Sequence, residues 1–458
     1  MRRMNMKVKP GQEVTLTIKR LGINGEGIGY YKKQVVFVEG SLPGEVIVAK
    51  IDKVYPNYAT AKLKKIRQAA PERIAPPCPL YDRCGGCQLQ HLDYEAQLEA
   101  KKDHVIQAFE RYTHLTADTL PIKPTIGMVN PWGYRNKGQL QISTAGNQVM
   151  AGLYEPGSHR LVDLTDCMIQ HPLINDVVAK VRKIIQHLNI PVYNERKRTG
   201  VIRTIMVRVG FQTEQLQLVL ITRTEEIPRL KELLMEIRYH IPQLTSIWQN
   251  IHPAKSSKIF GEKFKLLWGE RHIIERLGDL SFKLSPRAFF QLNPLQTIKM
   301  YDQVKAYAAL TGQENVVDAY CGVGTIGLWL AREAKEVRGM DTIKEAIEDA
   351  KLNAKLNGLA NAHFEVGRAE TYFPRWLKQG FKPDVIVVDP PRTGCDDQLL
   401  HAIVQSQAKR LVYVSCNPST LAKDCRVLFN AGFKLQEIQP FDLFPHTSHV
   451  ECCALLVR

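Results

Sequence analysis

The feature that most restricts this chain is the rhythm of its last third. From residue 286 onward short apolar runs alternate with helix-length segments: Val316–Ala319, Val337–Met340, Phe364–Val366, Val385–Val388 and Leu411–Ser415, closed by a pair near Leu435–Phe441 and Val450–Leu456. Strands that are apolar throughout must be covered on both faces. The pattern predicts an α/β domain built on a doubly wound, Rossmann-like sheet with helices on either side. In such sheets ligands bind outside the carboxyl ends of the strands, so the chemistry should be sought there.

Those ends carry reactive residues. Asp318-Ala-Tyr-Cys-Gly322-Val-Gly324-Thr-Ile-Gly327 follows the first strand and runs into a helix. Asp341 ends the next strand, about 20 residues on, the distance at which an acid meets ribose hydroxyls. NAD or S-adenosylmethionine could lie on such a turn. The carboxylate of Asp318 favours the second, because it would repel a pyrophosphate but tolerates an ammonium and a sulfonium. The fourth strand ends in Asp389-Pro-Pro-Arg392, whose prolines stiffen the loop. The fifth ends in Cys416 and is broken at once by Asn417-Pro418, which puts a thiol at the strand mouth. An isolated cysteine is more often a small buried hydrophobe, so Cys416 gains meaning only from its company. That company includes His449-Val-Glu451 on the last strand and Ser285-Pro-Arg-Ala-Phe289-Phe-Gln291-Leu-Asn293 upstream.

Residues 1–68 alternate five short strands with glycine turns, at Val14–Ile18, Gly27–Tyr31, Val35–Val38, Glu45–Ile51 and Tyr58–Leu63. This predicts a small β-barrel, either of the oligonucleotide-binding type or a generic SH3-like one with a solvated basic face. Lys19, Arg20, Lys32 and Lys33 flank its glycine-rich segment. Residues 69–285 read as an α+β central domain. It has strands at Leu140–Ser143, Ile202–Val209, Leu216–Ile221 and Leu244–Ile251, and helices near 172–188 and 228–238. An amphipathic helix over 91–115 is expected to pack on the catalytic domain, residues 286–458. Trp132-Gly-Tyr-Arg-Asn-Lys137 sets aromatics beside cations and reads either as a solvated basic turn or as a base-stacking element.

Cys78, Cys84 and Cys87 are spaced C-x5-C-x2-C. Thiolates held so close need a cation, and three with one distant partner suit an iron-sulfur cluster better than structural zinc. Cys167 is the remaining cysteine of the middle region; His91 and His171 are the alternative ligands for zinc. The formal net charge of +16, from 62 Lys+Arg against 46 Asp+Glu, points to a polyanionic partner, with nucleic acid first. No apolar run is long enough for a membrane span, and the basic start lacks the apolar core of a secretion signal. A cytoplasmic, monomeric protein is expected, with its ten cysteines unbridged.

Asp318-x-x-Cys-Gly-x-Gly, Asp389-Pro-Pro-Arg392, Ser415-Cys-Asn-Pro418 and His449-Val-Glu451, together with Phe290-Gln291-x-Asn293 upstream, resemble in type and order the motifs of the RNA uracil-5-methyltransferases. The amino-terminal segment resembles the TRAM domain, an RNA-binding module. With the four cysteines, nearly the whole chain looks like the RumA-type branch that methylates 23S ribosomal RNA. Thr325 and Asp341 depart from it, where relatives often carry Asn and Glu. The resemblance implies S-adenosylmethionine held by Gln291, Tyr320, Asp341 and Asp389, a nucleophile at Cys416 and a base at Glu451. It also implies a [4Fe-4S] cluster on Cys78, Cys84, Cys87 and Cys167. The same chemistry on transfer RNA, and RNA cytosine-5 methylation, are the alternatives. The second resembles a family with Pro-Cys where Pro391 is here followed by Arg392. An RNA-binding protein with an inactive methyltransferase fold is the rival from another class.

Overall fold

The computed structural model describes residues 8–146, 148–254 and 259–458; the basic start, residues 1–7, lies outside the described residues. Glu13–Leu21, Gly27–Tyr31, Gln34–Glu39, Val46–Val54 and Tyr58–Gln68 close into a five-stranded barrel. Alternation along the first strand turns Val14, Leu16 and Ile18 inward to meet Val36, Val38, Ile47 and Ile51. Gly27 permits a close approach there, since a Cβ would lie 2.2 Å from Ser41 Oγ. Lys32 and Lys33 occupy the following hairpin turn with φ of 46° and 71°, a left-handed conformation that usually calls for Asn-Gly.

The middle of the chain forms a seven-stranded sheet in the order Lys263–Gly269, Leu244–Ile251, Leu216–Thr222, Ile202–Val209, Lys137–Ala145, Gln148–Tyr154 and Leu161–Asp163. The helices Pro172–His187 and Leu230–His240 contribute to its core. Sequence periodicity misses the two strands between 148 and 163 because they are short and interrupted by polar turns.

The carboxyl-terminal sheet runs Ala362–Val366, Glu336–Asp341, Asn315–Ala319, Val385–Val388, Arg410–Ser415, Glu451–Val457, Lys434–Phe441. The first five strands are parallel, and Glu451–Val457 runs antiparallel to both of its neighbours. Alternate residues of each central strand feed two different cores, Val412 and Val414 one, Leu411 and Tyr413 the other. This explains their continuous apolarity. Val105, Ala108 and Phe109 place the helix Tyr94–Tyr112 in the second of these cores, and residues Ile122 and Ile126 bridge to the sheet's edge strand. The hairpin Ile273–Leu277/Leu280–Leu284 packs in the first core, ahead of the boundary expected at 286. Among the described residues no helix is long and apolar enough to cross a membrane.

Candidate active site and cysteine cavity

Cys416 sits half-buried just past the end of Arg410–Ser415. The strand stops there because Asn417 caps the next helix: its Oδ1 accepts from Ser419 N at 3.1 Å, and Pro418 takes the first-turn position where a missing N–H costs nothing. Asn417 Nδ2 also donates to the Arg392 carbonyl at 2.9 Å, pinning the Asp389–Arg392 loop beside the thiol. The same loop is held from below, where Asp424 Oδ2 accepts from Cys395 N at 2.8 Å and from the Tyr413 hydroxyl at 2.6 Å. Ser415 pairs with Cys452 across the antiparallel neighbour, so continuing that register sets Cys416 opposite Glu451.

Four charge-bearing groups therefore share the mouth. Burial first, then Glu451 and Asp389, push the Cys416 thiol up to about 12 against the opposing charge of Arg392. Burial, reinforced by Asp389 and opposed by Arg392, holds the Glu451 carboxyl well above the usual range. Burial raises Asp389 to about 7. Arg392 is exposed, with its guanidinium 3.4 Å from His449 Nε2.

The glycine turn lies at the point where strand order reverses, between Asn315–Ala319 and Val385–Val388. Asp341 Oδ2 accepts from Gly322 N at 3.1 Å and its Oδ1 from Ile343 N at 2.9 Å, so the side chain braces the turn while remaining partly exposed. Tyr320 holds φ 66°, an uncommon backbone for a bulky residue and the kind of strain that marks ligand turns. Asp318 is placed differently from the expectation. It is fully buried behind the turn, accepts from Gly327 N at 2.7 Å, and burial raises it to about 8. A carboxyl buried behind the turn and spent on Gly327 N does not face a bound ligand, so the charge argument drawn from Asp318 does not hold. Gln291 is buried in a loop tied down by the central domain: Arg208 donates to Ser285 O at 2.9 Å and Ala288 O at 2.5 Å, and Asn136 Nδ2 to Gln291 O at 3.0 Å. These anchors carry no sequence signal, because each contact joins distant segments.

Cys78, Cys84, Cys87 and Cys167 line one cavity of about 370 Å³, together with Arg135 and Lys137. Among the described residues no three Cys, His, Asp or Glu side chains are arranged to hold a single metal ion. Neither alternative ligand lines this cavity: His91 Nδ1 lies 2.6 Å from the Tyr81 hydroxyl, and His171 Nδ1 accepts from Leu173 N at 3.3 Å as a helix cap. The Trp132–Lys137 stretch is neither a solvated turn nor an open stacking platform. Trp132 stacks on His446 at 3.7 Å, Tyr134 is fully buried, and Arg135 and Lys137 form the cavity wall.

An aromatic stripe does occur on the barrel. Register aligns Tyr30, Val35 and Tyr58 across three strands, with Tyr30 and Tyr58 exposed. Tyr55 stacks on Tyr58 at 4.5 Å and Phe37 meets it edge-on at 5.4 Å.

A doubly wound sheet with a strained glycine turn at its switch point, braced by an acid on the neighbouring strand, defines a site for an adenosine-bearing cofactor, dinucleotide or S-adenosylmethionine, and similarity to known proteins selects the methyltransferases. Residues 272–458 match the family described as tRNA (Uracil-5-)-methyltransferase, and residues 7–64 match the TRAM domain. An uncharacterized RNA methyltransferase of Halalkalibacterium halodurans is 58% identical over 453 residues, covering 99% of this chain and 98% of that protein. One from Bacillus cereus is 53% identical over 452 residues, with 99% and 98% covered. The crystal structure of Pyrococcus abyssi tRNA (uracil-54, C5)-methyltransferase in complex with S-adenosyl-L-homocysteine aligns with a TM-score of 0.77 at 28% identity, over 97% of this chain and 100% of that one. The chain belongs to the RNA uracil-5-methyltransferase family, an enzyme family, and carries a TRAM domain.

Proposed function

We propose that the enzyme methylates carbon 5 of a uridine in 23S ribosomal RNA through a covalent bond between Cys416 and the uracil ring, acting as a cytoplasmic monomer. The observation that carries this reading is the register that sets Cys416 opposite Glu451, between Asp389 and Arg392. Carbon 5 of uracil is a poor nucleophile. Cys416, as thiolate, adds to carbon 6, and the electrons of the double bond then make carbon 5 nucleophilic. S-adenosylmethionine, when bound, supplies the electrophilic methyl group. Gln291, Tyr320, Asp341 and Asp389 are the residues that would hold it. Glu451 then takes the proton from carbon 5, the double bond re-forms, and the sulfur leaves carbon 6. Arg392 is the cation that favours the thiolate against the two carboxylates.

The cysteine cavity is read as the seat of a [4Fe-4S] cluster on Cys78, Cys84, Cys87 and Cys167. A cubane spreads its four thiolates over separate irons, farther apart than ligands of one ion, which accords with thiols that share a cavity but not a point. Arg135 and Lys137 in the wall suit an anionic group. The central domain and the barrel, residues 69–285 and 1–68, serve as RNA-gripping surface, with Tyr30, Tyr55 and Tyr58 offering stacking faces beside Lys32 and Lys33.

Transfer RNA is the second reading, and one observation favours it. The Pyrococcus abyssi enzyme, whose name states a transfer-RNA uracil, aligns over 97% of this chain, so the accessory domains do not by themselves separate the two substrates. Mapping 5-methyluridine by mass spectrometry in RNA from cells lacking the protein tests the choice. Loss from 23S ribosomal RNA is expected; loss confined to transfer RNA overturns it.

A further inference from the structure

The hairpin that ends on Glu451 is held from outside its own sheet. Phe441 and Glu451 are register partners, so Asp442 is the first residue beyond the paired end. Lys101, wholly buried on the helix Tyr94–Tyr112, donates to Asp442 Oδ1 at 2.5 Å and to the Phe444 carbonyl at 3.1 Å. One helical turn earlier, Gln97 Oε1 accepts from His446 N at 3.0 Å. The His446 carbonyl in turn accepts from Gln88 N at 3.0 Å and Leu89 N at 2.9 Å, on the segment that follows Cys87.

A buried Lys–Asp pair is a poor stabiliser, because two well-packed apolar side chains often serve as well or better. What such a pair does supply is a fixed geometry, since each charge must meet the other. Its place matters too. Cys416 is anchored separately, through Asn417 and Arg392, whereas Lys101 bonds to the loop between Asp442 and Val450 that feeds Glu451, and Gln97 ties that loop to the Leu89 and Leu92 carbonyls. We propose that Lys101 and Gln97 are positioning residues for the proton-removal step, holding the closed end of the hairpin so that the Glu451 carboxylate meets the proton on carbon 5. The inference rests on the reading of Glu451 as the base. When Glu451 takes that proton, the C–H electron pair re-forms the C5–C6 double bond and the C6–S pair returns to Cys416. A displaced Glu451 leaves thiolate addition and methyl transfer intact and stalls only release, so methylated RNA stays bound to the enzyme.

The test compares Lys101→Met, the double variant Lys101→Met/Asp442→Asn, Gln97→Leu and Glu451→Gln in the full-length enzyme. The double variant removes both charges, and Gln97→Leu leaves no buried charge unpaired, so each carries the test if Lys101→Met does not fold. Melting temperature and S-adenosylmethionine binding report folding. The readouts are kcat, KM for RNA, and RNA–protein complex surviving a denaturing gel. The folded Lys101 and Gln97 variants are expected to lose about tenfold or more in kcat, with KM for RNA falling in step so that kcat/KM is kept, and to accumulate the complex. If Glu451→Gln accumulates none, the base assignment fails. If Glu451→Gln does accumulate it and the folded Lys101 or Gln97 variants turn over normally, or slow without trapping RNA, the positioning role is overturned.

Discussion

Two groups of cysteines are alike in burial, which raises the thiols of both, and differ in what stands beside them. Cys416 faces Glu451 and Asp389, which raise its pKa, with Arg392 as the one opposing charge felt there. The thiols of Cys78, Cys84, Cys87 and Cys167 line a cavity walled by Arg135 and Lys137. The first arrangement keeps a sulfur protonated until a cation or substrate arrives, which protects a nucleophile between turnovers. In the second, burial likewise raises Cys84, Cys87 and Cys167, Cys87 to about 12, and lowers Lys137 to about 7, so thiolates there call for a bound cation or cluster to hold their charge. Cysteine alone does not tell nucleophile from ligand; the residues around it do, carboxylates at Cys416 and other thiols at Cys87.

The largest effect that could break this contrast is at the single thiol. Cys416→Ala should reduce methyl transfer by on the order of ten-thousandfold or more while RNA binding, measured by filter retention, stays near normal. Appreciable turnover in that variant would remove the covalent mechanism. At the other site, anaerobically purified protein should be brown and hold about four irons and four sulfides per chain. Cys87→Ser should strip most of the iron and Cys416→Ala none. Zinc without iron would contradict the cluster.

A smaller effect concerns pH. Methylation needs Cys416 deprotonated and Glu451 ionised at the last step. Burial raises both, the thiol to about 12. A group required in its deprotonated form with a raised pKa loses activity as pH falls, so kcat should climb between about pH 6 and 9, by at most about tenfold per unit for each proton lost. Arg392→Met removes the charge that lowers the thiol and should move this limb to higher pH. A flat profile in both enzymes would contradict the account. The smallest effect is on the barrel. Tyr58→Ala should weaken RNA binding by roughly tenfold, the worth of one stacked base, and leave S-adenosylmethionine binding unchanged by calorimetry.

Much of this architecture is legible in the residues. The strands Val385–Val388 and Arg410–Ser415 announce themselves because both faces are covered and no charged residue interrupts their apolar runs, and the barrel strands because inward and outward residues alternate. Strand ends then locate Asp341, Asp389 and Cys416 without any side-chain geometry. Other parts are hidden for a physical reason. Trp132 and Lys137 look like surface chemistry, and only the fold turns them toward His446 and the cysteine cavity. Asp318 looks like a ligand group, and its burial against Gly327 makes it a brace. Arg208, Asn136, Asp424 and Lys101 act through contacts with distant segments, which no local pattern encodes.

The pairing of Cys416 with Glu451 is the centre of the account, and one measurement addresses it directly. Glu451→Gln enzyme is incubated with substrate RNA and S-adenosylmethionine, and the mixture is run on a denaturing gel, with the trapped species analysed by mass spectrometry. The account predicts a complex containing one RNA joined to the peptide that carries Cys416, with the methyl group already transferred. Free RNA with normal turnover would contradict it.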